Sequence, residues 1–148
     1  MLDSTVANLA IKTIGQAFGA PLGDVQWIAT SYLITLSLPL AGWLARRFGS
    51  TRLWTAATLA FVAASMVCGL APDLTILTGA RCLQGLAAGL MVPAGQAALG
   101  GSTDRRQLGR LMGTVGFAVA LGPALGPGLG GMLIEAVSWR WLFWINVP

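Results

Sequence analysis

The chain has 148 residues, of which 55% are hydrophobic and only 9% are charged, and its mean hydropathy is +0.74. A soluble domain of ordinary composition is about a quarter charged, so this composition excludes a typical soluble protein and indicates a membrane protein. The net charge of +4 comes from basic residues that are not gathered into one patch, so we expect no nucleic-acid partner.

The few charged residues leave four uncharged runs, at 25–45, 53–72, 82–103 and 111–134. Crossing a bilayer core of about 30 Å takes about 20 helical residues, whereas the strands of a membrane barrel are about 10 residues long. The runs therefore predict helices, and the fold class we expect is an all-α, polytopic membrane helix bundle. The predicted helices cover residues 1–15, 25–45, 53–71, 75–99 and 110–134, followed by the start of a sixth at 141–148.

The first predicted helix carries an acidic residue, Asp3, in the sequence LDSTVANLAI. If its outer end is near Lys12, only about 12 residues precede that end, or roughly 18 Å at 1.5 Å per residue. That length is too short to cross a bilayer, and the sixth helix likewise stops after eight residues at Pro148. We therefore expect the chain to be a fragment of a larger membrane protein.

Basic residues are concentrated in two of the short connections between helices. They are Arg46, Arg47 and Arg52 between the second and third helices, and Arg105, Arg106 and Arg110 between the fourth and fifth. Both connections lie on one side of an alternating bundle. Because cytoplasmic loops carry an excess of Lys and Arg, we expect the loops at 46–52 and 100–110 to be cytoplasmic.

The fourth predicted helix carries Arg81, in the sequence LTGARCLQGLAAGL. A charge inside a bilayer costs about 2.5 to 3.5 kcal/mol on insertion scales and usually faces a partner or a water-filled cavity. Counted from Lys12 and Asp73, Asp3 and Arg81 both lie about 12 to 13 Å deep. A carboxylate near a cation can take up or release a proton when the cation moves or water enters. We expect Asp3 and Arg81 to form such a proton-carrying pair. The alternatives are a structural role for Arg81, and a helix cap or a solvated chain start at Asp3.

The fifth predicted helix places helix-breaking residues inside the longest uncharged run, in the stretch LGPALGPGLGG. Gly122, Gly126 and Gly130 recur every four residues, so they share one helix face on which a neighbouring backbone can approach closely. Pro123 and Pro127 interrupt the backbone hydrogen bonds and kink the helix. We expect a bent helix that packs tightly against another; glycine-mediated packing without a transport role stays open.

Together these motifs resemble those of the major facilitator superfamily, specifically its fourteen-helix drug:proton antiporter branch, over almost the whole chain. LDSTVANLAI resembles the first-helix motif with Asp3 at the acidic position, and LTGARCLQGLAAG resembles the fourth-helix motif with Arg81, Gln84 and Gly85. WRWLFWINVP resembles the start of the sixth helix. The residues that match the fifth-helix antiporter motif are Gly113, Gly122, Gly126, Pro127, Gly130 and Gly131.

The loop GWLARRFGSTR departs from the family pattern in one respect. It keeps Gly42, Arg47 and Gly49 of the gating-loop motif, but Arg46 stands where many members of the superfamily have aspartate. This departure puts in doubt a charge relay from that aspartate to the other lobe. For Arg47, a gating role and a simple topology anchor both stay open.

The resemblance implies a partial N-terminal lobe of a two-lobed carrier that exports drugs or other amphipathic small molecules by alternating access as protons move inward. Asp3, Arg81 and Gln84 would face the cavity, and the fifth helix would form the seam with the other lobe. The proton gradient would drive transport, so neither an enzyme activity nor a cofactor or metal is expected. Partners would be the substrate, protons and the lipid bilayer of the inner membrane, with a periplasmic adaptor subunit as a further candidate.

Two other functions stay open from the sequence. The same fold could export a metabolite, because the glycine pattern of the fifth helix does not name the cargo. The chain could also be a truncated membrane fragment that does not transport.

Overall fold

The computed structural model describes residues 2–36, 40–102, 109–110, 113–114, 116–117, 120–121, 124–125, 128, 138–144 and 146, with the backbone alone for 2–9 and 101–102. The helices are α1 (Leu2–Phe18), α2 (Leu22–Leu36), α3 (Ala41–Phe48), α4 (Ser50–Leu70), α5 (Leu74–Ser102) and α6 (Trp141–Trp144). The described part of the chain contains no strand, and the expected all-α helix bundle is confirmed.

Within the described residues, two helices are long and apolar enough to cross a membrane. They cover Ser50–Leu70, with a mean hydropathy of 1.8, and Leu74–Gly100, with a mean hydropathy of 1.3. The helices α2 and α3 are inclined by 54° to each other and make a third span if the bent pair is counted as one. The single helix expected at 25–45 therefore corresponds to two described helices, and residues 37–39 between them lie outside the described residues.

A tight turn joins α3 to α4 at Gly49. This residue has φ +85° and ψ 141°, a conformation that residues with a side chain rarely adopt. Its N–H donates to the carbonyl of Ala45 at 3.0 Å, and its own carbonyl accepts from the N–H of Leu53 at 3.0 Å. One glycine therefore ends α3 and begins α4, which gives this motif residue a backbone role.

The first helix extends further than the charges suggested. It ends at Phe18, six residues beyond Lys12, and Lys12 is an exposed residue within the helix. Fifteen residues, or about 22 Å, separate Asp3 from Phe18, whereas seven residues, or about 10 Å, separate Arg81 from the start of α5 at Leu74. The equal depth inferred from Lys12 therefore does not follow from the helix ends.

The continuation of α1 has a physical cause in its apolar face. Ala10 and Ile14 are fully buried, and Phe18, one turn further on, packs against the same core. Stopping the helix at Lys12 would remove Ile14 and Phe18 from that face. The helix ends instead at Phe18, and the next residue, Gly19, has φ +60°, a conformation that glycine adopts without a steric cost.

The hydrophobic core lies where α1 meets α2, where α4 meets α5, and where α6 begins. Its buried members are Ala10, Ile14, Val25, Ile28, Cys68, Ala71, Leu77, Ala80, Trp139, Leu142 and Phe143. The Trp139 ring stacks edge-on against the rings of Phe18 at 5.6 Å and Phe143 at 6.2 Å. Arg140 donates from Nη2 to the carbonyl of Ala71 at 3.2 Å. These contacts fix the start of α6 against the other helices.

Two glycines let α5 approach α2 to backbone contact. A Cβ atom at Gly85 would collide with the hydroxyl of Thr35 and the carbonyl oxygen of Tyr32, and one at Gly89 would lie 2.5 Å from the carbonyl oxygen of Leu36. The four-residue spacing places both glycines on one face of α5, as at close helix crossings in membranes. The absence of side chains here sets the distance between the two helices.

We predict that Gly85→Ala lowers the melting temperature of the complete membrane protein that contains this chain. The added methyl group must push α2 away from α5, and overpacking of this kind costs about 1–3 kcal/mol. Gly79→Ala is the matched control, because Gly79 lies on the same helix and no described atom is within 4 Å of its Cβ position. Thermal unfolding in detergent measures both; equal melting temperatures for the two variants would contradict the close approach.

Candidate functional site

Arg81 is the centre of a polar site inside the bundle. It lies in α5 and has 0% of its surface exposed. Its guanidinium carbon is 5.1 Å from the ring centre of Tyr32 in α2 and 5.0 Å from that of Phe143 in α6. Ring faces at this distance attract a cation and offset part of the cost of removing it from water. Three helices therefore enclose the charge.

Gln84 lies one turn after Arg81 and is also fully buried. Nη1 of Arg81 donates a hydrogen bond to Oε1 of Gln84 at 2.8 Å. Nε2 of Gln84 in turn donates to the hydroxyl oxygen of Ser65 in α4 at 3.1 Å. Residues three apart share a helix face, so Arg81 and Gln84 can contact each other while Gln84 reaches α4. The structure brings together these two predicted site residues.

The hydroxyl of Ser65 joins this site to α6. Ser65 Oγ donates to the carbonyl oxygen of Phe143 at 2.8 Å and accepts from Nδ2 of Asn146 at 3.2 Å. Cys68, one turn along α4, directs its thiol to Oε1 of Gln84 at 3.8 Å. We refer to Ser65, Arg81, Gln84 and Asn146 as the polar cluster. It connects α4, α5 and the residues at and after α6.

Sequence reasoning did not find Ser65 or Asn146. A hydroxyl in an apolar helix commonly bonds a carbonyl of its own helix, as Thr58 does with Trp54 at 2.9 Å. Nothing in the pattern around Ser65 separates it from such residues, because its partners come from α5 and α6. Asn146 belongs to the sixth-helix motif WRWLFWINVP, which was a signal that its polar side chain has a specific partner.

The pairing of Asp3 with Arg81 stays a prediction. Asp3 lies near the start of α1, and its side chain is outside the described residues. Seven residues make nearly two helical turns, so Asp3 shares a helix face with Ala10. Ala10 is fully buried in the same core cluster as Ala80, the neighbour of Arg81 in sequence.

Most of the antiporter motif, which belongs to the helix predicted at 110–134 and not to α5, also lies outside the described residues. Gly113 is described, and so are Gly116 and Gly128 nearby; no described atom lies within 4 Å of a Cβ built on any of the three. The motif residues outside the described part are Gly122, Gly126, Pro127, Gly130 and Gly131. The expected bend and the close packing of this stretch therefore stay predictions.

The residues of the gating-loop motif lie together at the other end of the helices. Gly42 and Arg47 are exposed in α3, close to the turn at Gly49. The guanidinium carbon of Arg47 is 5.5 Å from the ring centre of Trp43. Fifteen residues of α4, or about 22 Å, separate this end from Ser65. The loop motif and the polar cluster are thus two separate features of the bundle.

The fold and the site define an integral membrane protein whose apolar helices enclose a buried cation. The family model described as "Major Facilitator Superfamily" matches residues 1–148. The chain belongs to this superfamily of membrane transporters, as its motifs predicted.

Several curated relatives match the chain from end to end. It is 40% identical over 149 residues to a "Multidrug resistance protein B homolog" of Mycobacterium tuberculosis, which covers 99% of this chain and 28% of the relative. It is 37% identical over 150 residues to "Multidrug export protein EmrB" of Escherichia coli K12, covering 100% of this chain and 29% of the relative. A third, "Fatty acid resistance protein FarB" of Neisseria gonorrhoeae, is 39% identical over 150 residues, covering 100% and 30%. The chain therefore spans less than a third of the length of these relatives.

We predict that Gln84→Met lowers the melting temperature of the complete transporter. Methionine has a similar shape but cannot accept the hydrogen bond from Arg81 or donate one to Ser65. An unsatisfied buried polar group costs about 1–3 kcal/mol. Gln96→Met is the matched control, because Gln96 lies on the same helix and is exposed. Thermal unfolding measures the difference, and a loss of equal size in both variants would show that the carboxamide of Gln84 does not hold the cluster together.

Proposed function

We propose that this chain forms part of the N-terminal lobe of a proton-coupled exporter of drugs or other amphipathic small molecules that works by alternating access. The observation that carries the proposal is the fully buried Arg81 in a span-length helix. Placing a charged side chain inside a membrane lowers the stability of the protein. Such residues are therefore rare, and they commonly mark proton and substrate pathways. Membership of a transporter family supports the same function.

The names of the relatives support the substrate class. Two of them refer to multidrug resistance or multidrug export, and the third refers to fatty acid resistance. Drugs that enter cells and fatty acids share an apolar body with a polar or charged end. Amphipathic small molecules are therefore the substrates that we propose, and a dedicated exporter of polar metabolites is less well supported.

In the proposed mechanism, Asp3 carries the proton and Arg81 responds to it. An ionised Asp3 is attracted to the guanidinium, and a protonated Asp3 is not. The position of Asp3 on the same face of α1 as the buried Ala10 supports an approach to the core that holds Arg81. Loading and release of the proton would then shift α1 relative to α5. The proton gradient drives the cycle, and no cofactor takes part.

The helix predicted at 110–134, which is distinct from α5, forms the seam with the second lobe in this proposal. The described residues Gly113, Gly116 and Gly128 have open space at their Cβ positions. Glycines that no described atom approaches support contact with a further part of the carrier. Arg47 and its neighbours in the gating loop then lie on the cytoplasmic side of the inner membrane, where they limit the movement of the lobes.

We predict that Asp3→Asn abolishes proton-driven efflux by the complete carrier, because asparagine cannot take up and release a proton. Dye efflux from energised inverted vesicles measures this, with the amount of inserted protein determined in parallel. Asp24→Asn is the matched control, because Asp24 is an exposed carboxylate in the first turn of α2. Efflux at the wild-type rate by the Asp3→Asn variant would reject the role of Asp3.

We also predict the orientation of the bundle from the basic loop. A cysteine introduced as Ser50→Cys, at the first residue of α4, should react with a membrane-impermeant maleimide only when the cytoplasmic side is exposed. A cysteine introduced as Pro21→Cys, in the exposed connection between α1 and α2, should react only from the opposite side. A protein in which Cys68 and Cys82 are replaced by Ser is the background. Labelling of Ser50→Cys from outside in intact cells would reverse the topology.

A further inference from the structure

Ser65 uses every hydrogen-bonding capacity of its hydroxyl group. A serine hydroxyl has one donor and two acceptor lone pairs. Ser65 Oγ donates to the carbonyl oxygen of Phe143 at 2.8 Å. It accepts from Nε2 of Gln84 at 3.1 Å and from Nδ2 of Asn146 at 3.2 Å. This one buried hydroxyl of α4 therefore has partners in α5, in α6 and after α6.

This arrangement fixes the orientation of the Gln84 carboxamide. A backbone carbonyl can only accept, so the proton of Ser65 is committed to Phe143, and Ser65 can only accept from Gln84. The carboxamide must then turn its nitrogen towards Ser65 and its oxygen towards Arg81, whose Nη1 lies 2.8 Å from that oxygen. The reverse orientation would place one N–H group against another. Ser65 thus acts on Arg81 through Gln84.

Phe143 reaches Arg81 by two routes. Its ring centre lies 5.0 Å from the guanidinium carbon, and its carbonyl oxygen holds the proton of Ser65. Both contacts come from a single residue of α6. A movement of α6 away from α4 and α5 would therefore remove the ring from Arg81 and free the proton of Ser65 in the same step, which would leave Gln84 oriented by Arg81 alone.

We propose that Ser65 is a positioning residue for Arg81, and that it makes the hold on the guanidinium depend on the position of α6. The consequence for transport rests on the proposed function, whereas the coupling between side chains does not. During alternating access, a shift of α6 would remove the support of Ser65 from the Gln84 carboxamide and let the guanidinium change partners. The position of the sixth-helix motif would then determine how firmly Arg81 is held as the lobe changes conformation.

The coupling is tested by the thermal unfolding of the complete carrier with Ser65→Ala, with Arg81→Lys and with both changes. We expect the losses in melting temperature to depart from additivity by more than about 2 °C, and to become additive when Gln84 is replaced by Met. Ser31→Ala, combined with Arg81→Lys, is the matched control, because Ser31 is buried and donates to the carbonyl of Ile28 in its own helix. Additive losses with Gln84 present would overturn the proposal. Ser65→Cys replaces Ser65→Ala if the double variant does not fold.

The effect on transport is tested at equal amounts of inserted protein. We expect Ser65→Ala to lower proton-driven dye efflux at least about fivefold while dye exchange without a proton gradient is retained. Ser65→Thr, which restores a hydroxyl, should recover efflux, and Ser31→Ala should not lose it. An equal fall in both activities, or no fall in either, would overturn the positioning role. A wild-type carrier without proton-driven efflux would instead reject the proposed function, and the unfolding experiment would still decide the role of Ser65.

Discussion

The burial of one guanidinium group sets the requirements for much of this bundle. Arginine carries five N–H donors and stays charged, so its removal from water must be offset by acceptors and by aromatic faces. The neighbouring turn of α5 supplies Gln84, but the two rings come from Tyr32 in α2 and Phe143 in α6. A single helix cannot provide this environment. The cation is therefore stable only where α2, α5 and α6 have already packed together.

The packing of these helices follows from small residues where α2 meets α5 and from a large apolar cluster around the start of α6. Gly85 removes the side chain that would keep α2 from α5, and so brings Tyr32 to the cation. The hydrophobic core around the start of α6 includes Trp139 and Phe143 and holds them in place. Close backbone approach and hydrophobic burial thus place the neighbours of the Arg81 guanidinium group.

The amino-acid sequence predicted the class of protein, and it singled out Arg81 and Gln84, whose side chains are in contact; their role in transport stays a prediction. A charge within a long apolar run is rare, so Arg81 stood out, and the motif around it included Gln84. Lys12 does not mark the end of the first helix, as its charge suggests, because it is an exposed residue inside α1. Ser65 could not be found from its own helix, because its partners are 19 and 81 residues away along the chain. Contacts between distant segments need the tertiary structure.

The contacts that hold Arg81 determine whether the cation stays stable when a neighbouring carboxylate takes up a proton. Breaking a buried ion pair by removing one partner costs about 3–5 kcal/mol, because it leaves an uncompensated charge. Here Gln84 and two aromatic faces also contact the guanidinium, and none of these contacts depends on the protonation state of a carboxylate. Neutralisation of Asp3 in the proposed cycle would therefore leave the cation with stabilising neighbours. A bundle arranged in this way can lose and regain the proposed contact between Asp3 and Arg81 without unfolding, provided that Ser65 keeps Gln84 turned towards the charge.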